Sequence, residues 1–308
     1  MSSTVYDVLI VGAGPAGMTA AIYARRAGKS VLVLEKETFG GQITHSPKVE
    51  NYPGYKEMSG LEFADKLTEQ VLSLGAEIEL DTVLSVERAG ELLVAHGECG
   101  TYSGKTLIVA SGSHHRTLGI DGEEELVGHG ISYCAICDGA FYAGREVAVI
   151  GGGNTALQEA VMLSEYCKKV TVVQNLAFLT GEESLVKQLE KKENVVFLLS
   201  RTVAGFVDKE GELTALRLAK ENGEIETLAV DGIFVAIGQV PENGPFSSLC
   251  TLDERGYIAS GEDCVTADPA VFVAGDCRTK RIRQITTATG DGAVAALSAC
   301  RYLDDHKA

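Results

Sequence analysis

Two segments of this chain carry the same pattern, and that pattern leaves few folds open. VYDVLIVGAGPAGMTAAIYARRAGKSVLVLEKE reads as an apolar strand over 5–11, a Gly-rich turn, a helix over 15–27, Gly28 and a second strand over 30–35. REVAVIGGGNTALQEAVMLSEYCKKVTVVQN repeats it, with a strand over 146–150, a Gly turn, a helix over 154–167 and a strand over 170–174. Short apolar runs flanking a glycine turn and an amphipathic helix form a βαβ unit whose first strand is buried. The two units start about 140 residues apart.

Other segments close these units. KTLIVASGSHHR is an apolar strand ending in Ser-Gly, and VDGIFVAIGQVPENG is its counterpart in the second half. AVFVAGDC supplies one more strand, and RQITTATGDGAVAALSACRYL a long helix rich in small residues. If that helix covers the first unit, the first domain is split into 1–114 and 246–308, with 115–245 inserted between and short strands at the crossings. The expected fold class is α/β, two Rossmann-like dinucleotide-binding domains with the second inserted into the first.

Length and charge agree with this and exclude much else. The 308 residues suffice for two domains, each with its own core. A net charge of −16 speaks against nucleic acid and anionic membrane as partners, since both need a basic footprint. No apolar run approaches a membrane span, and the N-terminus lacks a basic n-region, so a cytoplasmic protein is expected. Of 8 cysteines, six stand singly, where a reducing compartment makes each a small buried hydrophobe. Cys134 and Cys137 form a close pair.

Gly12-Ala13-Gly14-Pro15-Ala16-Gly17 matches G-x-G-x-x-G between a strand and a helix. Gly12 permits the tight turn, Gly14 lets backbone approach a pyrophosphate, and Gly17 lets helix and strand pack closely. Glu35, 23 residues after Gly12, ends the second strand, where an acid can accept from a ribose 2′-hydroxyl. Gly275-Asp276 ends another buried strand and suits either a cofactor's close approach or a helix cap. The C-x-x-C spacing of Cys134 and Cys137 suits a disulfide that opens and recloses. Half of a zinc site would need a second pair of ligands, and no further C-x-x-C or C-x-H exists, so no metal is expected. Asp138 adjoins the pair, where a carboxyl group can exchange a proton with a departing thiolate or cap a helix.

Taken in order, GAGPAG, FGGQI, VENYPG, IVASGS, YCAICDG, GGGNTA, VFVAGDC and RQITTATGDGAVAA span nearly the whole chain. As a set they closely resemble the low-molecular-weight thioredoxin reductases of bacteria. The resemblance implies FAD as cofactor, thioredoxin as partner and a homodimer. It implies a flavin site built from Gly12, Gly14, Pro15, Ala16, Gly17, Glu35, Lys36, Gly41, Gln42, Asn51, Val83, Gly112, Gly275, Asp276, Arg283, Gln284 and Ile285. It also implies that Cys137 is the flavin-facing charge-transfer thiolate, Cys134 the interchange nucleophile and Asp138 the proton donor.

One position departs from the family. Gly151-x-Gly153-x-x-Ala156 is the second fingerprint, and the same offset of 23 lands on Gln174. NADH calls for an acid there, and NADPH for Arg or Lys nearby. No basic residue stands between Lys169 and Lys187, whereas thioredoxin reductases normally carry HRR and a further Arg. Each missing charged bond to a 2′-phosphate forfeits roughly 1.5–3 kcal/mol. The resemblance therefore narrows to the ferredoxin-dependent flavin thioredoxin reductases, which lack the NADPH motif. An acidic ferredoxin needs a basic dock, and Arg278, Lys280, Arg281 and Arg283 in CRTKRIRQ are the candidates. Competing readings are an NAD(P)H-dependent reductase with an atypical nicotinamide site, a flavin dithiol oxidase and a non-enzymatic redox sensor.

Overall fold

The computed structural model describes residues 4–306, apart from residue 47 and the side chain of residue 45. The chain divides into two compact units, Met1–His114 with Val240–Ala308, and His115–Gln239. Both crossings are short strands, Ser113–His115 and Gln239–Pro241. The chain returns to the first unit at 239/240, not at the 245/246 expected from sequence. Asn243 is the reason: its buried amide donates to the carbonyls of Gly256 and Cys277, and its Oδ1 accepts from Ser111.

The first unit is built on a seven-stranded sheet. Val5–Val11 lies at its centre, parallel to Val31–Glu35 on one side and Thr101–Val109 on the other. Glu77–Leu80 extends the first edge in parallel. Thr101–Val109 serves two neighbours along its length: its first half pairs antiparallel with Leu92–Gly97, its last three residues parallel with Val271–Val273. The helices Pro15–Arg26 and Ile285–Asp305 cover one face through alanines and glycines. A Cβ at Gly292 would stand 2.2 Å from the Ala16 carbonyl oxygen, so the two helices approach as closely as backbones can. The opposite face buries Leu9, Leu32, Leu34, Leu107 and Phe246.

The second unit repeats the scheme with a five-stranded, all-parallel sheet in the order Val195–Leu198, Lys169–Val173, Glu146–Ile150, Gly232–Val235, Ile131–Ser132. Its central strands read as continuous apolar runs because both faces are covered. The helix Asn154–Ser164 stops short of the expected residue 167. The Asn194 amide takes the Ser164 and Cys167 carbonyls and so replaces the next helical turn. An antiparallel sheet of Arg201–Lys209, Glu212–Lys220 and Ile225–Ala229 completes the unit.

Candidate active site

The first glycine turn is held by its own chain. Gly12 adopts φ +106°, and a Cβ there would stand 2.2 Å from the Ala110 carbonyl oxygen. Pro15 opens the helix, where no amide hydrogen is needed. A Cβ at Gly17 would stand 1.8 Å from the Gly12 carbonyl oxygen, so helix and turn are in direct contact. Buried Glu35 accepts from the amides of Ala13 at 2.6 Å, Lys36 at 2.9 Å and Glu37 at 3.0 Å. Its carboxylate thus orders both the turn and the strand end, with acceptor capacity left over.

The loop carrying Gly41 lies against this turn, a Cβ on Gly41 falling 3.3 Å from Gly14 Cα, while Gln42 beside it is exposed. Gly14 itself has an open face, since a Cβ there would meet only the Gly40 carbonyl at 3.8 Å. Across the sheet ends, Gly275 takes φ +82° with a Cβ position 2.8 Å from Ala16 Cβ. Asp276 beside it has a buried Oδ1 with no hydrogen-bond partner among the described residues. Burial pushes its carboxyl group up to about 6, against the pull of Lys280 and Arg283. The Asn51 amide donates to Gln284 Oε1 at 3.2 Å, and Gln284 in turn caps the C-terminal helix that begins at Ile285. Gly112, with φ +71° and open space around it, follows the strand Thr101–Val109.

An open glycine face, a ribose-height carboxylate and an orphaned buried acid fit a dinucleotide cofactor. Two expected members are engaged elsewhere. Val83 is packed in the core below the sheet, and Lys36 pairs with Glu242 and Glu37.

The basic cluster does not form the dock expected from its sequence. Arg278 is buried, with Nη1 on Asp291 at 3.1 Å and Nε on Ser260 Oγ at 2.7 Å. Lys280 Nζ reaches the other Asp291 oxygen at 2.8 Å and is nearly as enclosed. Arg283 stacks on Tyr257 with its guanidinium carbon 4.1 Å from the ring centre, and its Nε donates to the Asp276 carbonyl. Arg281 alone of the four is exposed. Sequence adjacency concealed this, because neither Asp291 nor Tyr257 adjoins the cluster.

In the second unit Cys134 and Cys137 are disulfide-bonded, with Cα atoms 5.3 Å apart. Cys134 caps the single helical turn Ala135–Asp138 and Cys137 lies within it, with Ile136 and Cys137 facing solvent. Ser132, on the preceding strand, was missed in the sequence. Its hydroxyl accepts from the Cys134 amide at 3.1 Å and donates to Asp138 Oδ2 at 2.6 Å. Burial raises the Asp138 carboxyl group above the ordinary range, and the Ser132 bond opposes it. A carboxyl group whose proton affinity is raised by burial, one residue from a disulfide, is suited to proton exchange with a thiolate.

The second glycine turn is backed by its own loop, as the first is by the Gly40 amide on the Ala13 carbonyl at 2.8 Å. Gly153, the counterpart of Gly14, keeps an open face, a Cβ there meeting only Thr180 Oγ1 at 3.7 Å. Gln174 is buried, and a Cβ at Gly152 would stand 2.6 Å from its amide carbon and nitrogen. The Gly152 carbonyl accepts from Thr180 N at 2.8 Å and Gly181 N at 2.9 Å. Asn154 and Glu182 close the loop, Asn154 Oδ1 accepting from the Glu182 amide at 2.7 Å and Nδ2 donating to its carboxylate at 3.1 Å.

Residues 6–292 match the family model of the pyridine nucleotide-disulphide oxidoreductases. A thioredoxin reductase of Listeria innocua is 40% identical over 98% of this chain and 95% of its own length. The "34.2 kDa protein in rubredoxin operon" of Clostridium pasteurianum is 40% identical over 96% and 97%. The crystal structure of thioredoxin reductase from Streptococcus pyogenes superposes with a TM-score of 0.94 at 37% identity, covering 99% of this chain and all of that one. With two dinucleotide folds and a C-x-x-C disulfide in the second, the chain belongs to the pyridine nucleotide-disulphide oxidoreductases and, among them, to the low-molecular-weight thioredoxin reductase family of FAD-dependent disulfide oxidoreductases.

Proposed function

We propose that this chain reduces thioredoxin through Cys134–Cys137 and draws its electrons from ferredoxin rather than from a nicotinamide. One observation carries the choice of donor: buried Gln174 stands at the strand end where Glu35 stands in the first unit, so the second turn offers a nucleotide ribose no carboxylate. The absence of any cation between Lys169 and Lys187 supports it. So does the Clostridium pasteurianum relative, whose name sets a homologous chain beside a small one-electron carrier. The alternative, an NAD(P)H-dependent enzyme with an atypical site, is favoured by the family description itself. The likeness to thioredoxin reductases also supports a homodimer acting in the cytoplasm. Light scattering that returns the mass of a single chain would remove the dimer.

In this reading Gly12, Gly14, Ala16, Gly17 and Gly41 give the pyrophosphate access to backbone, Glu35 takes the ribose and Asp276 the polar chain of the cofactor. FAD, when bound, supplies the two electrons that open the disulfide. Cys134 then attacks a sulfur of the partner disulfide, and Asp138 gives a proton to the thiolate that leaves. Cys137 attacks Cys134 Sγ, which re-forms the S–S bond and frees the partner as a dithiol. The anaerobic test mixes the yellow protein with NADPH, NADH or photoreduced ferredoxin and follows flavin bleaching. Fast bleaching by ferredoxin alone is expected. Fast bleaching by micromolar NADPH would refute the donor assignment, and turnover of a small dithiol in air would favour a dithiol oxidase.

A further inference from the structure

Beneath the redox turn lies a second carboxyl group that the mechanism above does not use. Glu159 sits in the helix Asn154–Ser164, against which the turn Ala135–Asp138 packs. Its carboxylate accepts from the amide of Ala135, the residue between Cys134 and Ile136. Its Oε2 is buried and has no hydrogen-bond partner among the described residues. A buried carboxylate with one backbone bond and no cation is costly, so protonation is the natural way to relieve it.

The surrounding charges offer no other relief. Asp138 on the turn is engaged by Ser132, and Tyr142 beyond it senses that carboxylate. Tyr166, which follows the helix, senses Glu159 itself, and buried Cys167 carries a thiol pushed up to about 11. On the next helix, Glu183–Leu189, Glu183 and Lys187 pair with each other in solvent. On the adjoining strands, Glu146 and Lys168 form an exposed pair, and Lys169 stands at the strand start. Desolvation accordingly pushes the Glu159 carboxyl group up to about 7, although the Ala135 bond opposes it.

We infer that Glu159 is a positioning residue for the Cys134–Cys137 disulfide, a carboxyl group that takes up a proton when the disulfide opens to a thiolate and releases it when the disulfide closes. The inference rests on the disulfide-reductase reading. Opening the S–S bond takes two electrons from the reduced flavin and leaves two sulfurs. One sulfur binds a proton as thiol. The other remains thiolate, and its charge raises the proton affinity of the carboxyl group below it, so the second proton goes to Glu159. Closure reverses each transfer. The pair thus changes redox state without leaving two negative charges in one poorly solvated place.

The test equilibrates the FAD-loaded protein in dithiothreitol buffers from pH 7.5 to 9 and counts reduced Cys134 and Cys137 by alkylation and peptide mass. Dithiothreitol releases two protons as it closes, so a native disulfide that gains two per opening is expected to show an equilibrium constant that does not change with pH. Glu159→Gln keeps the shape and the acceptor for Ala135, gains one, and its equilibrium constant is expected to rise tenfold per pH unit, about 30 mV for a two-electron couple. Glu159→Asp, which withdraws the charge by one methylene, should fall between. Equal slopes in the native and Gln forms would overturn the inference while leaving the disulfide chemistry standing. A native disulfide that does not open in these buffers at all would overturn the reductase reading and the inference with it.

Discussion

At the scale of single residues, the proposed proton donation runs through Asp138 and its hydrogen bond from Ser132. Asp138→Asn keeps the size of the side chain but removes the proton, and should slow dithiol–disulfide exchange about 10²- to 10⁴-fold while the Cys134–Cys137 bond still forms. Stopped-flow exchange with a protein disulfide reads this directly. The sign of the Ser132 effect follows from its hydrogen bond. That bond favours the ionised carboxylate and so lowers the carboxyl pKa, although burial keeps the net shift upward. Donation by Asp138 fails as pH rises through its pKa. Ser132→Ala raises that pKa further, and the alkaline limb of the rate profile should move to higher pH. An unmoved limb would detach Ser132 from the proton donor. Asp138 was legible in sequence because it adjoins a cysteine pair. Ser132 and Glu159 were not, since a serine in a two-residue strand and a glutamate in a helix carry no signature until the fold brings them beneath the turn.

At the scale of elements, the contact of two helices decides whether the first cradle keeps its shape. Gly292 faces Ala16 across the interface of Pro15–Arg26 and Ile285–Asp305, and Ala16 lies in the glycine turn itself. Gly292→Ala would drive a methyl group into the Ala16 carbonyl, at a cost of about 1–3 kcal/mol. Thermal denaturation should show a lower midpoint, and the flavin absorbance per protein should fall. Gly290 lies two positions away, and a Cβ there would meet nothing within 4 Å. Gly290→Ala should leave flavin content unchanged and raise helix stability by up to about 1 kcal/mol. Both βαβ units were readable because their strands and helices have clean periods and glycine punctuation. The antiparallel sheet of 201–229 was not, because its strands mix exposed and buried positions without strict alternation and contain charged residues. The basic run beside Asp276 misled for a related reason: its partners, Asp291 and Tyr257, are supplied by folding.

At the scale of the whole molecule, segmentation and charge have separate consequences. His115–Gln239 is continuous in sequence and has its own sheet and its own apolar clusters on either side of it. Expressed alone, residues 115–239 should unfold cooperatively and retain the Cys134–Cys137 disulfide without binding flavin. Circular dichroism and thiol titration test this, and a non-cooperative melt would contradict it. The net charge of −16, with Arg278 and Lys280 neutralised internally, leaves an acidic electron carrier facing like charge. Raising ionic strength from about 0.05 to 0.3 M shortens the screening length from about 14 to 6 Å. Reduction by such a carrier should therefore accelerate with salt. A rate that falls steeply with salt would locate a basic dock elsewhere on the surface.

Gln174, buried at the strand end where Glu35 stands in the first unit, also changes what it means to offer this protein a nucleotide. A neutral amide neither attracts nor repels a 2′-phosphate, so this position does not sort one nicotinamide dinucleotide from the other. Under the proposed donor, titrating the two in turn would measure the cost of a mismatched strand end rather than a preference. The oxidation state of the nicotinamide pool would then vary separately from the supply of electrons to protein thiols.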